Sequence, residues 1–259
     1  MGTQIHNLNQ SEVVATVLAA LREGRGGSIV TPNIDNLRII SASPELAALV
    51  SRAELVVADG MPLVWASRLQ GTPLKGRVNG TELVLAAAAA LALEEMSMFL
   101  LGAAPGVAES AASVLRTRAP GLEIAGTLAP ELGFEDDPEQ MRAVTATLQD
   151  AEPSLVVCAL GCPKQERVMA YLRPHLPSTW FIGAGSALTI IAGVTPRAPA
   201  WMSRNGLEWL HRMRLEPARL GPRYILHDLP FAARLFRRSA QARFSKTTQG
   251  NGHRLRRAS

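Results

Sequence analysis

Val13, Val14, Val17, Leu18 and Leu21 recur at helical spacing, so the chain opens on an amphipathic helix with one face turned to a core. Ser11 is the cap this spacing predicts, and Gly24, Gly26 and Gly27 mark the stop. The period then collapses into two short apolar runs, 28–31 (SIVT) and 54–58 (ELVVA), of the kind a strand buried on both faces requires. Between them, Ser43-Pro44-Glu45 opens a helix over 43–51. Similar runs predict strands at 98–101, 122–125, 155–159 and 180–183, with helices over 104–118, 138–150 and 164–172. Asp137-Pro138-Glu139-Gln140 supplies an N-cap, a proline in the first turn and a glutamine at N3 for the second of these helices. The run 83–93 (LVLAAAAALAL) is far shorter than the roughly 20 residues of a membrane span, and predicts a buried, alanine-rich helix.

Strands that alternate with helices predict an α/β fold: a Rossmann-like, mostly parallel sheet with helices on both faces. In such a sheet, ligands bind beyond the C-terminal strand ends. The alternation stops near Pro196, and 200–245 reads as consecutive helices rich in Arg and Trp. Phe231, Leu235 and Phe236 form a stripe beside Arg234, Arg237 and Arg238, as in a helix lying on a membrane surface. The expected organisation is therefore a catalytic α/β domain over 1–196, a helical membrane-associating appendage over 197–246 and a disordered basic tail over 247–259. No internal repeat is present.

Charge sharpens this division. The 259 residues carry a formal +5, but residues 212–259 hold eleven Arg and Lys246 against Glu216 and Asp228, a net +10, which leaves −5 on the rest. A basic tail on an acidic body points to a polyanionic partner, a membrane surface or a nucleic acid. No RNA- or DNA-reading motif accompanies the tail, so nucleic-acid binding is the alternative reading and nucleic acid is not among the expected partners. The first twenty residues lack a basic stretch followed by an apolar block, which argues against a secretory signal and for a cytoplasmic chain. With Cys158 and Cys162 the only cysteines, a disulfide framework is excluded. The five His are scattered without ligand spacing, and no metal site is predicted.

Polar groups gather at the predicted strand ends. Thr31-Pro32-Asn33 follows the first strand and Asp59-Gly60 the second; Gly161-Cys162-Pro163-Lys164-Gln165-Glu166 and Gly183-Ala184-Gly185 follow later ones. Asp59 can meet a ligand beside the close backbone approach that Gly60 permits, or can cap a helix starting at Met61-Pro62. The turn at Gly161 resembles an anion-binding helix start but lacks the Walker spacing. Leu101-Gly102-Ala103-Ala104-Pro105-Gly106 lacks the full dinucleotide fingerprint, which counts against a nicotinamide-dependent oxidoreductase.

The motifs in order resemble the WecG/TagA/CpsF glycosyltransferase family. They are Thr31-Pro32-Asn33, Ala58-Asp59-Gly60-Met61-Pro62, Arg77-Val78-Asn79-Gly80-Thr81-Glu82-Leu83, the Gly161–Glu166 turn, Gly183-Ala184-Gly185, Arg197-Ala198-Pro199, Gly206-Leu207-Glu208-Trp209 and Glu216-Pro217-Ala218-Arg219. Glu82, His211 and Asn79 depart from the commoner Asp, Tyr and Thr, and 127–134 is looser than the family's turn there.

The resemblance implies a metal-independent, inverting transferase with no cofactor. It moves a hexose or N-acetylhexosamine from a nucleotide-sugar, usually a UDP-sugar, to a polyprenyl-diphosphate-linked sugar in cell-surface polysaccharide synthesis. By the same resemblance, Asp59 is the base and Thr31 stands beside it at the catalytic centre. Asn33, Gly60, Asn79, Gly161, Lys164, Gln165, Gly185 and Arg197 would bind substrate, and Arg212, Arg219 and Arg223 would meet the leaving group and the membrane. The expected setting is the cytoplasmic side of the membrane, at the anionic inner leaflet, and self-association recurs in the family.

Overall fold

The structure is a computed structural model that describes residues 3–255. Helix α1 (Gln10–Arg22) starts one residue before Ser11, because Asn9 is the cap: Glu12 N–H donates to Asn9 Oδ1 at 3.0 Å, and Asn9 N–H donates to Glu12 Oε2 at 2.9 Å. This reciprocal pair satisfies two otherwise orphaned amides, which Ser11, already inside the helix, cannot do. Strand β1 (Gly27–Val30) leads into α2 (Ile34–Ala42), a helix the periodicity did not announce. It is capped by Asn33, whose Oδ1 accepts from Asn36 N–H at 3.0 Å. There follow α3 (Pro44–Ser51), β2 (Leu55–Val56), α4 (Met61–Gln70), α5 (Gly80–Leu93), β3 (Ser97–Gly102), α6 (Val107–Arg118) and β4 (Glu123–Leu128). After these come α7 (Pro138–Ala151), β5 (Leu155–Ala159), α8 (Lys164–Leu172), β6 (Trp180–Gly183) and α9 (Ala187–Ile191).

The six strands are all parallel, in the order β2-β1-β6-β5-β3-β4. Alternate residues feed opposite faces: Ile29, Leu100, Val157 and Ile182 join one core with α1, α5 and α6, while Val30, Leu101, Val156 and Phe181 join another with α2, α3, α7 and α8. Both faces are covered, which is why these strands read as unbroken apolar runs.

The appendage comprises α10 (Ala200–Arg204), α11 (Glu208–Leu215), α12 (Pro217–Pro222), a π-helical segment (Arg223–Asp228) and α13 (Leu229–Leu255). The expected disordered tail 247–259 overlaps the end of α13, and residues 256–259 lie outside the described residues. Helix α13 runs along α4. Its Phe231 is buried with Leu37, Ala58 and Leu63, so this member of the predicted surface stripe faces the body. Among the described residues, no helix is long and apolar enough to cross a membrane.

Close backbone approach seats the appendage. Gly206 adopts φ +71°, and a Cβ there would lie 2.6 Å from Met61 Cβ and Cγ on α4. Gly206→Ala should therefore combine left-handed backbone strain with a steric clash, destabilising the chain by about 1–3 kcal/mol. Thermal unfolding checks this: the variant should melt several degrees lower, and an unchanged Tm would show that the approach is not required.

Candidate active site

A cavity of about 310 Å³ opens at the C-terminal ends of β1, β2 and β6, neighbours at one side of the sheet, and the appendage roofs it. The body contributes Asn33, Asp59, Arg77, Asn79 and Ser186; the appendage contributes Glu208, Arg212, Arg223, Tyr224 and Asp228. Met61, Pro62, Trp65 and Phe236 form an apolar wall.

Asp59 is fixed from both sides. Its N–H donates to Pro32 O at 3.0 Å, which ties it to the segment after β1, and Val78 N–H donates to Ala58 O at 2.8 Å, which draws in the segment before α5. The carboxylate accepts from Gly80 N–H (Oδ2) and from Asn79 Nδ2 (Oδ1), each at 3.3 Å. Asp59 thus sits over the first turn of α5, where unpaired amides favour an anion. It does not cap α4. Gly60 occupies that cap position at φ +126° with no side-chain bond, and this swing of the chain turns the carboxylate away from α4. Burial pushes the Asp59 carboxyl up to about 6; Gly80 N–H, Arg77 and Arg212 pull it down, and the Glu208 charge adds to the rise.

Arg77 and Arg212 act on this carboxylate, and Arg197 and Arg223 line the same cavity. Arg77 Nη1 lies 2.8 Å from Glu208 Oε2, joining α11 to the body. Arg212 donates to Ser186 Oγ, Arg197 pairs with Glu82, and Arg223 Nη1 lies 3.3 Å from Asp35 Oδ2. The Trp209 and Tyr224 rings meet edge to face at 6.2 Å between centroids, bracing the roof.

Of the residues singled out from the sequence, the cavity collects Asn33, Asp59, Gly60, Asn79, Arg197, Arg212 and Arg223. Thr31 lies behind the wall, its hydroxyl donating to Gly183 O at 2.8 Å and so joining β1 to β6. Thr31 Oγ1 and Asp59 Oδ2 nevertheless flank the same point, 3.5 and 3.7 Å from where a Cβ on Gly80 would stand. Gln165 is buried; its Oε1 accepts from Gly185 N–H at 3.0 Å and its Nε2 donates to Glu166 Oε1 at 3.0 Å. Lys164 is paired with Glu135 at 2.6 Å, beside Gly161 at the end of β5. Arg219 projects outward and holds Glu216. None of these five (Thr31, Gly161, Lys164, Gln165, Gly185) nor Arg219 lines the cavity. Conversely, Asp35, Arg77, Ser186, Glu208 and Asp228 line it without having been selected. Arg77 and Glu208 lie within the quoted motifs, but nothing local marks them as partners. Among the described residues, no group of three or more His, Cys, Asp or Glu side chains is placed to hold a metal ion.

Comparison with known proteins assigns the family. The chain matches the glycosyl transferase WecG/TagA/CpsF family over residues 1–245, a span that takes in both the body and the appendage. It is 30% identical over 199 residues to N-acetylglucosaminyldiphosphoundecaprenol N-acetyl-beta-D-mannosaminyltransferase of Bacillus spizizenii, covering 77% of this chain and 75% of that protein.

The raised Asp59 pKa has a consequence for stability. A carboxyl raised from 3.8 to about 6 binds its proton more tightly in the folded state, so its contribution falls as pH climbs through that window. Above pH 6 the ionised group opposes folding. Asp59→Asn should accordingly stabilise the protein at pH 7 by on the order of 1–3 kcal/mol, with the advantage vanishing below about pH 4. Melting curves across pH test this, and equal Tm values at pH 7 would count against a strained carboxylate.

Proposed function

The chain belongs to the WecG/TagA/CpsF family of glycosyltransferases, and from that premise we propose that it moves a hexose or N-acetylhexosamine from a nucleotide-sugar, with UDP as the nucleotide, to a sugar held on a polyprenyl diphosphate. The observation that carries the reading is the Asp59 carboxylate, pushed up to about 6 and set at the cavity beneath arginines from two parts of the chain. The relative whose name specifies an N-acetylglucosaminyl-diphospho-undecaprenol acceptor supports a lipid-diphosphate sugar as the acceptor.

On this reading, Asp59 takes the proton from the acceptor hydroxyl as that oxygen attacks the anomeric carbon from the face opposite the leaving group. A base with a pKa near 6 is mostly ionised at neutral pH yet more basic than an ordinary carboxylate. Negative charge growing on the departing diphosphate is met by Arg77, Arg197, Arg212 and Arg223, whose planar guanidinium groups suit phosphate oxygens. Asn33 and Asn79 orient sugar hydroxyls. Thr31 and Gln165 act as positioning residues that hold the ends of β1, β5 and β6 in register, and Gly161, Lys164 and Gly185 border the neighbouring strand ends where the nucleotide extends.

The lipid acceptor requires a membrane surface. Trp201, Leu215, Ile225 and Leu226 are exposed on the appendage, as are Arg214 and Arg219. These apolar groups enter the inner leaflet, and each basic residue near an anionic surface adds about 1 kcal/mol. The buried Phe231 takes no part.

Replacing Asp59 by Asn should lower kcat by roughly 10²- to 10⁴-fold with donor affinity little changed. Wild-type kcat/KM should fall on the acid side of about pH 6, where Asp59 acquires its proton. Mass-spectrometric detection of the product from UDP-sugars and a synthetic polyprenyl-diphosphate-sugar reads both, and undiminished turnover would remove Asp59 from the mechanism. Separately, Ile225→Asp with Leu226→Asp should weaken co-sedimentation with anionic liposomes while donor binding persists. Sedimentation equal to wild type would move the membrane contact elsewhere.

A further inference from the structure

Among the described residues four arginines line the cavity, and each is held by an acceptor other than Asp59. Arg197 pairs with Glu82, Arg212 donates to Ser186 Oγ, Arg223 Nη1 lies 3.3 Å from Asp35 Oδ2, and Arg77 Nη1 donates to Glu208 Oε2 at 2.8 Å. The donors to the Asp59 carboxylate are neutral, Gly80 N–H and Asn79 Nδ2, each at 3.3 Å. A guanidinium donating there would form a shorter, charge-assisted bond. Such a bond lowers the carboxylate's affinity for a proton and occupies the lone pairs a base must present. The arrangement keeps arginine near this carboxylate and off it.

Arg77 is the arginine whose restraint matters most. Its neighbour Val78 donates its N–H to Ala58 O at 2.8 Å, which pins the backbone of Arg77 beside the strand end that carries Asp59. The guanidinium thus stays in the neighbourhood of Asp59 whichever acceptor holds it. Glu208 is that acceptor, and it comes from the appendage as the first residue of α11. The two side chains are 13% and 27% exposed, so solvent screens the pair only in part. Arg212 lies four residues along the same helix, on the same face, and also lines the cavity. Arg77, Glu208 and Arg212 are the charges felt at Asp59; Asn33 after β1 and Met61 and Pro62 on α4 are neutral. The remaining charged and titratable lining residues are Arg197, Asp35, Arg223, Tyr224 and Asp228.

We propose that Glu208 is a positioning residue for the base: by holding Arg77 across the junction of appendage and body, it keeps that guanidinium off Asp59 and leaves the carboxylate open to the acceptor hydroxyl. Glu208 itself takes no proton in the reaction. It uses one of the five N–H donors of Arg77 and leaves others for the departing diphosphate. Docking of α11 therefore does two things at once, bringing Arg212 to the leaving group and an acceptor to Arg77. The base is free and basic only when the appendage is seated. This inference rests on the transferase reading above, with Asp59 as its base.

The test is the pH profile of kcat/KM for the full chain. The probes are UDP-N-acetylglucosamine and UDP-N-acetylmannosamine as donors and polyprenyl-diphospho-N-acetylglucosamine as acceptor. Glu208→Gln keeps the shape of the side chain and removes its charge, so Arg77 turns to Asp59. Its acid limb should move from about 6 to lower pH by roughly one unit. Turnover at neutral pH should fall by at most about tenfold, since Brønsted behaviour passes on only part of a one-unit loss of basicity. Glu208→Asp, which keeps the charge, should hold the limb near the wild-type position. Arg77→Gln should move the limb the opposite way, upward, because Glu208 then faces the base unpaired, and it serves if Glu208→Gln does not fold. A purely structural Glu208 would lower turnover at every pH and leave the limb in place. A limb that stays put or moves upward in Glu208→Gln, with the wild type active and dependent on Asp59, overturns the role of Glu208 alone. A wild type that transfers neither sugar, or whose turnover survives Asp59→Asn, overturns the underlying reading and this role with it.

Discussion

Everything at this site turns on keeping an anion where water is scarce. A carboxylate moved out of water tends to acquire a proton, and Asp59 has moved part of the way, to about 6. It stops there because the first turn of α5 offers Gly80 N–H and because Arg77 and Arg212 lie close enough to be felt. Stronger compensation would leave an ordinary, weakly basic carboxylate. Without any, the group would be protonated at neutral pH and could not act as the proposed base. The parallel sheet makes the intermediate state possible, since the ends of β1, β2 and β6 converge on one point.

The appendage belongs to this balance. Ion pairs cross from it to the body at Arg77–Glu208, Arg38–Asp228 and Arg223–Asp35. Partly buried pairs of this sort add little net stability, because desolvation offsets much of the attraction. What they provide is orientation: Arg38 holds Asp35 and Asp228 together, and Asp35 is shared with Arg223, so body and appendage are tied at several points. Phe231 and the Gly206 approach to Met61 supply the apolar part of the docking.

Sequence pattern reveals the frame better than the site. The strands were legible because both faces of the sheet are covered, which makes 155–159 and 180–183 continuous apolar runs. Helix α2 was not, because it follows Pro32 directly and its cap, Asn33, reads equally well as part of a turn. Asp59 was visible as a carboxylate at a strand end, but whether it capped α4 depended on the φ of Gly60, which no residue pattern discloses. Asp35 and Asp228 could not be paired by inspection, since their association through Arg38 spans most of the chain and requires a π-helical turn.

The charge asymmetry acquires a more exact meaning from these contacts. The +10 over 212–259 is not one patch: Arg212 and Arg223 face the cavity, while Arg214, Arg219, Arg234, Arg237 and Arg238 face outward. Helical periodicity divides the arginines between two surfaces of the same elements, so the outward set cannot shift relative to a bilayer without carrying the inward set along. On the proposed reading, a chain that attracts a membrane-held diphosphate while closing over a nucleotide diphosphate gains from this rigid linkage. If that reading holds, one set of helices sets both the distance to the membrane and the position of the cavity arginines, and the acidic body beneath gives those helices a partner of opposite sign.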